Sequence, residues 1–269
     1  MKKIFSSYCE LPRWIRKPLW KAWHKYLAKK DKHALTIFMN YGYAGLNGEG
    51  KTVDLADGDE PNRFSIQLYH HVASGTELKG RDVLEVGCGR GGGASYIMGY
   101  FAPNLYVGLD QSKSGTAFCN RYFKMSGLSF VRGYAENLPF KEGSFDCVIN
   151  IESSRCYGDM NAFLSGVWKV LRPGGNFLLA DLRTGEGKEE LKAQLQAAGF
   201  KTLKEEKITQ NVIRSLELDD ARRKKLIEEN VPGYLKNSFW EWAGVRGSDR
   251  YYSFINGDMD YWNFILQKA

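Results

Sequence analysis

An apolar run that stops on three alternating glycines belongs at the end of a buried strand, and this chain has one near its middle. Residues 83–91 read Val-Leu-Glu-Val-Gly-Cys-Gly-Arg-Gly. Val83, Leu84 and Val86 suit a parallel strand covered on both faces, and Gly87, Gly89 and Gly91 let the backbone turn tightly against a ligand. The next stretch, 94–101, can begin a helix whose N-terminal amides face the same crevice. Ligands of open α/β sheets sit at this carboxyl edge, where the strand order reverses. The run therefore predicts a small-molecule cofactor.

Two cofactor classes use such a turn. Read as Gly87-x-Gly89-x-x-Gly92, the loop satisfies the dinucleotide fingerprint, and Asp110 stands at about the spacing of a ribose-binding acid. Glu85 argues for the other class. A carboxylate at the strand end would face the dianion of a pyrophosphate, whereas S-adenosylmethionine carries an ammonium and a sulfonium there. The charge pattern favours S-adenosylmethionine.

Composition excludes several alternatives. No run approaches 18 apolar residues, so no transmembrane helix is expected, and the N-terminus has no apolar signal core. The five cysteines are odd in number and lack C-x-x-C pairs, which fits a reducing, cytoplasmic setting. Neither they nor the four histidines show metal-ligand spacing, so no metal is expected. The net charge of +7 sits almost wholly in residues 1–33, which carry ten Lys/Arg against two acids. The rest of the chain offers no basic face for nucleic acid.

Within that basic head, Pro18 can open a helix over about 18–30, with Trp20 and Trp23 on one face and Lys17, Lys21, Lys25 and Lys29 on another. Such a helix can pack over the cofactor domain or lie peripherally on a membrane surface. Residues 34–60 read as irregular, and a helix follows from Pro61 to about 71. Strands are predicted at 81–86, 105–109, 129–132, 145–151, 176–180, 201–208 and 260–268, with helices at about 112–125, 159–171 and 187–198. This alternation is that of a doubly wound α/β sheet. The expected division is an N-terminal helical extension or cap, 1–72, and a cofactor domain, 73–269, with a helical lid inserted at about 210–258 before the last strand. The aromatic content of that insertion and of the first 45 residues suits either covers over an apolar acceptor or core.

Glu85-Val-Gly-Cys-Gly-Arg-Gly91, Gly108-Leu-Asp110, Ala135-Glu-Asn-Leu-Pro-Phe140, Ser144-Phe-Asp-Cys-Val148 and Val170-Leu-Arg-Pro-Gly-Gly175 follow one another as in class I S-adenosylmethionine-dependent methyltransferases. The chain resembles that family over about 81–182. More narrowly, Asp59-Glu-Pro-Asn-Arg63, Leu68-Tyr-His70, Gly91-Gly-Gly-Ala-Ser-Tyr96 and the 150–157 run resemble the phthiotriol/phenolphthiotriol dimycocerosates methyltransferase family. The resemblance implies a Rossmann-like, seven-stranded, mostly parallel sheet and methyl transfer to an oxygen of an apolar small molecule or lipid. It also implies that Gly87, Cys88, Gly89 and Gly91 enclose the methionine part above Glu85. Asp110 would take the ribose, Gln111, Ala135 and Glu136 would meet the adenine, and Asn150 would complete the cofactor site. Tyr134 departs from the Asp that many relatives carry.

The proton acceptor is the open question. Where the lipid O-methyltransferases typically place a histidine, this chain has Arg155, which cannot serve as a base at neutral pH. His70 or His71 could reach the site, or Asp181 could act. Alternatively no base is needed and Arg155 binds an anionic acceptor. Glu152, Tyr157 and Arg250 are further substrate-pocket candidates. Methylation of nitrogen or carbon, a nicotinamide-dependent oxidoreductase and a binding module without catalysis remain the alternatives.

Overall fold

The structure is a computed structural model that describes residues 36–269. The basic helix expected near 18–30, with its membrane contact, lies outside the described residues.

At the centre is β1 (Asp82–Val86), flanked by β2 (Leu105–Asp110) and β4 (Phe145–Ile151), with β3 (Leu128–Arg132) at one edge. Beyond β4 come β5 (Leu171–Arg183), β7 (Asp260–Lys268) and, at the other edge, β6 (Phe200–Lys207). The order is β3-β2-β1-β4-β5-β7-β6, with β7 antiparallel to both of its neighbours and the other pairings parallel. The chain turns from β1 towards β2 on one side and returns to β4 on the other, so the crevice opens at the carboxyl ends of β1 and β4.

Seven of the predicted strands are present and their bounds differ little. The exception is β5, counted from Leu171 instead of 176, because Leu171 already pairs with Phe145 before a register shift. Pro173 and Gly174 form that irregularity, Gly174 with φ +74°.

Helices cover both faces: α1 (Arg63–Ala73), α2 (Gly92–Phe101) and α3 (Lys113–Tyr122) on one, α4 (Met160–Val170) and α5 (Gly185–Ala197) on the other. Three of them start where a short polar side chain caps the first turn. Ser112, Asp159 and Thr184 accept from the N–H groups of Gly115, Ala162 and Gly187, satisfying amides that have no partner inside the helix. Alternate strand residues then fill two cores. Val83, Cys147, Ile149 and Leu178 pack with Ile66, Val72 and Ile97, while Leu84, Val148 and Phe177 pack with Phe163, Val167 and Leu191. Each such fully buried side chain contributes about 1.5–3 kcal/mol.

Between β6 and β7 runs the insertion: α6 (Thr209–Leu218), α7 (Asp220–Asn230), α8 (Lys236–Ala243) and α9 (Asp249–Ile255). Apart from Trp242, which lines the cavity described below, its aromatic residues divide three ways. Tyr251 and Phe254 join the main core, Trp240 packs on a small cluster of Ile227, Val231 and Val245, and Tyr234 and Tyr252 are exposed.

Candidate active site

Leaving β1, the chain bends at once. Gly87 and Cys88 both donate their N–H to Leu109 O, at 2.7 and 3.2 Å. Gly87 has φ +84° and Gly89 φ +55°, a region that side chains disfavour. Space is as tight as the torsion. A Cβ on Gly87 would lie 2.3 Å from Ser153 Oγ, and one on Gly89 would lie 2.6 Å from Met39 Cε. The bend aims the Gly89 N–H at Asp110 Oδ2 (3.1 Å), while Ser112 N–H reaches Oδ1 (2.8 Å). Burial nevertheless holds the Asp110 carboxyl up at about 6, the two N–H groups opposing it.

Glu85 is 1% exposed and lies below the loop. Its oxygens accept from Tyr69 OH (2.8 Å) and Tyr106 OH (3.0 Å). Burial pushes its carboxyl up to about 7 against those two hydrogen bonds, with Asp110 adding to the rise. Because its folded pKa lies above its unfolded one, stability is greatest below about pH 4.5 and declines as pH rises through 7. Glu85→Gln should therefore lessen the fall in unfolding free energy between pH 5 and pH 8, by on the order of 1–3 kcal/mol. Denaturant titrations across that range test this; an unchanged slope would place the cost elsewhere.

The end of β4 supplies the opposite wall. Asn150 Nδ2 donates to Val86 O (2.8 Å), Ser153 Oγ (2.9 Å) and Tyr157 OH (2.9 Å), which knots the two strand ends together. Glu152 follows with φ +53°. One of its oxygens, Oε1, accepts from the Tyr41 N–H (2.8 Å) and Tyr261 OH (3.1 Å). Burial pushes this carboxyl up to about 7, although Arg155 opposes the shift. Arg155 turns back to Asp181, Nη1 to Oδ1 at 3.0 Å, and Arg183 approaches Oδ2 at 3.1 Å. Ser154 Oγ and the Arg155 N–H also donate to Oδ2, at 2.7 and 3.0 Å.

One cavity joins these parts. Gly87, Cys88, Gly89, Asp110, Gln111, Ala135 and Glu136 line its first half, and Glu152, Arg155 and Tyr157 its second, with Arg250 and Trp242 reaching in from the insertion. The structure thus brings together most of the residues expected from sequence. Gly91 is the N-cap of α2, and Asn150 and Glu85 support the walls from behind instead of facing the cavity.

The three candidate bases are placed elsewhere. His70 Nδ1 is 2.8 Å from Tyr96 OH, and His71 Nε2 is 3.0 Å from Glu206 Oε2 with its ring stacked on Tyr43. Both sit on the α1 side away from the cavity lining, and burial lowers both pKa values. Asp181 lies behind Arg155, outside the cavity lining, and is saturated. Burial would raise its carboxyl, yet the Arg183 and Arg155 guanidiniums with Ser154 hold it at about 2, too weak a base for an alcohol.

Sequence reasoning expected a cover from the first 45 residues but did not give its residues or path. Ile37, Phe38, Met39, Asn40 and Tyr41 cross the cavity, anchored where Gly92 N–H reaches Ile37 O at 3.3 Å. Arg223, buried in α7, donates to Asn40 O and Tyr41 O at 3.2 and 3.0 Å. No periodicity marks 34–60, so aromatic content could suggest a cover there without giving its path.

Residues 84–179 match a family model described as a methyltransferase domain. The phthiotriol/phenolphthiotriol dimycocerosates methyltransferase of Mycobacterium tuberculosis is 36% identical over 254 residues, 94% of this chain and 93% of that one. The chain belongs to this family of S-adenosylmethionine-dependent methyltransferases. A fatty-acid O-methyltransferase from Mycolicibacterium smegmatis is 38% identical over 223 residues, 83% of this chain and 81% of that one. Among solved structures, a cyclopropane synthase from Mycobacterium tuberculosis shares the fold, with TM-score 0.69 at 16% identity, covering 90% of this chain and 98% of the other.

The residues fit the cofactor that the family uses. Gly87 and Gly89 keep the loop bare where added carbons would clash, Asp110 closes the end of β2, and Leu109, Ala135 and Ile151 give apolar wall. The nearby cation is diverted, since the Arg90 guanidinium lies 4.0 Å over the Phe118 ring. Asp110→Ala should weaken S-adenosylmethionine binding by about 10- to 100-fold, as expected for losing charge-assisted hydrogen bonds. Calorimetry tests this, and unchanged affinity would remove Asp110 from the site.

Proposed function

We propose that this methyltransferase acts on an oxygen of an apolar, lipid-like acceptor. The observation that supports this most is the cavity's second half. Its roof of Ile37, Phe38 and Met39, with Tyr41, Tyr157 and Trp242, presents apolar and aromatic surface next to the cofactor loop. Such surface recognises shape and excludes water, while Glu152, Arg155 and Arg250 are the polar groups beside it that can orient a ligand. The names of the mycobacterial relatives, a lipid methyltransferase and a fatty-acid O-methyltransferase, agree with it.

In this reading, S-adenosylmethionine supplies an electrophilic methyl group. The chain's own residues hold the acceptor in line and keep water out, a contribution that can reach about 7–11 kcal/mol. Asp110, Gln111, Ala135 and Glu136 are assigned to the cofactor, and Arg155, Tyr157 and Arg250 to the acceptor side. Tyr69 connects the two layers, lining the cavity while donating to Glu85. Arg155 then acts as a positioning residue, its guanidinium held against Asp181.

The test is direct. Purified protein is incubated with methyl-labelled cofactor and a panel of long-chain alcohols, alkylphenols, fatty acids and long-chain amines, and the products are weighed by mass spectrometry. Label in an ether or ester supports the proposal; label confined to amines or carbon overturns it.

A further inference from the structure

We infer that Glu152 takes the proton from the acceptor, and that the acceptor is therefore a neutral hydroxyl and not a carboxylate. The inference rests on the oxygen-methylation reading and deepens it.

Glu152 is where a cavity wall, an anchored carboxyl and a strained backbone coincide. It lines the cavity one residue beyond β4. Its φ of +53° is uncommon for a residue with a long side chain, and such strain persists only where surrounding contacts enforce it. Those contacts are visible: its N–H donates to Ala180 O at 2.8 Å, and its carbonyl accepts from Arg155 Nη1 at 3.3 Å. The two carboxyl oxygens are used unequally. Oε1 takes both the Tyr41 N–H and the Tyr261 hydroxyl, which fixes the group's orientation. Among the described residues Oε2 has no donor, and it is left for a ligand proton.

The charged and titratable neighbours come from every packed element. They are Tyr41 from the roof, Tyr69 from α1, Arg155 after β4, Asp181 from β5, Arg223 from α7 and Tyr261 from β7. Burial dominates their sum and leaves the carboxyl near 7, where a base can both accept and release a proton at neutral pH. The other cavity carboxylates are committed differently. Asp110 binds the Gly89 and Ser112 amides, Glu136 accepts from Gly158 N–H, and Glu241 accepts from Arg250 N–H.

The same geometry disfavours an anionic acceptor. Arg155 already faces Asp181 at 3.0 Å, so a fatty-acid carboxylate beside it would meet Asp181 and Glu152 as like charges. With a hydroxyl the step balances. The O–H bond breaks and its proton passes to Oε2, the oxygen lone pair forms the new O–CH3 bond, and the electrons of the broken C–S bond remain on sulfur.

The experiment compares wild type with Glu152→Gln, whose carbonyl can still accept from Tyr41 and Tyr261. Acceptors are 1-dodecanol, 4-nonylphenol and dodecanoate. Expected are methyl transfer to the alcohol or phenol in wild type and a kcat about 10²- to 10⁴-fold lower in the variant. Cofactor affinity by calorimetry should stay within twofold. In cofactor-free protein, the wild-type minus variant infrared difference should show one carboxyl titrating near pH 7. The wild-type alcohol profile should fall on the acid side of the same pH, a readout that needs no variant. A variant within tenfold of wild type, a carboxyl titrating in the ordinary range, a profile flat from pH 5 to 8, or dodecanoate as sole acceptor would each overturn the assignment while oxygen methylation stands. Transfer to none of the three would instead overturn the oxygen reading, and this assignment with it.

Discussion

Asp181→Ala should lower the unfolding free energy at pH 7 by about 3–5 kcal/mol, the cost of stranding buried charge. Asp181 is 2% exposed and receives two guanidiniums, the Ser154 hydroxyl and the Arg155 and Leu182 amides. Removing the carboxylate leaves the largely buried Arg155 and Arg183 without the anion that both face. The penalty belongs to that loss and is not the net worth of the pair, since bringing these charges together was itself costly. A pH series separates the terms. Its folded pKa is held near 2, below its ordinary 3.8, so the stabilisation is complete above about pH 4 and disappears as pH falls through 2. Guanidinium melts of wild type and variant should thus differ most at pH 6–7 and converge towards pH 2. Equal stability at pH 7 would show that the two arginines find other partners.

Gly87→Ala should reduce S-adenosylmethionine affinity by about 100-fold or more, equivalent to about 2.7 kcal/mol. Two independent costs act together. The left-handed torsion at φ +84° costs a side chain about 1–2 kcal/mol. In addition, the new methyl would lie 2.7 Å from Ser153 Cβ and 3.0 Å from Tyr157 OH, and overpacking of that kind costs about 1–3 kcal/mol. Neither neighbour can yield cheaply, because Ser153 and Tyr157 are tied to Asn150 and through it to β1. The loop must move instead, and with it the amide that reaches Asp110. Gly143→Ala is the control: its φ is +62° but nothing lies within 4 Å of the added carbon. It should cost about 1–2 kcal/mol of stability and leave cofactor affinity unchanged. Matched calorimetry on the two variants checks the contrast.

The cofactor half of the site was legible in the sequence because strand-to-glycine punctuation is local. Gly87 and Gly89 follow β1 and Asp110 ends β2, strands that continuous apolar runs mark out, and Ala135 comes shortly after β3, so position along the chain translates into position at one sheet edge. The acceptor half was not. The roof at 37–41 has no periodic signal, and the contacts that hold it are distant in sequence, among them its hydrogen bonds to Arg223 and Glu152, more than a hundred residues away. Aromatic content was an ambiguous guide as well, since Tyr251 and Phe254 serve the core while Trp242 faces the cavity. The orientation of the candidate bases was hidden for a related reason. His70 and His71 carry the side chains most often used for proton transfer, but helical geometry turns one towards Tyr96 and the other towards β6. Whether Asp181 is free or saturated depends on Arg155 and Arg183 arriving together, which residue identity alone does not reveal.

The roof and the insertion come from opposite ends of the described chain, and neither belongs to the parallel strands that carry the glycine turn. Protein engineers can therefore treat them as exchangeable parts. Grafting residues 37–41 together with 209–255 from a homologue is the economical route to a new acceptor range. The glycine turn after β1 and Asp110 at the end of β2 would keep their sequence through such a graft.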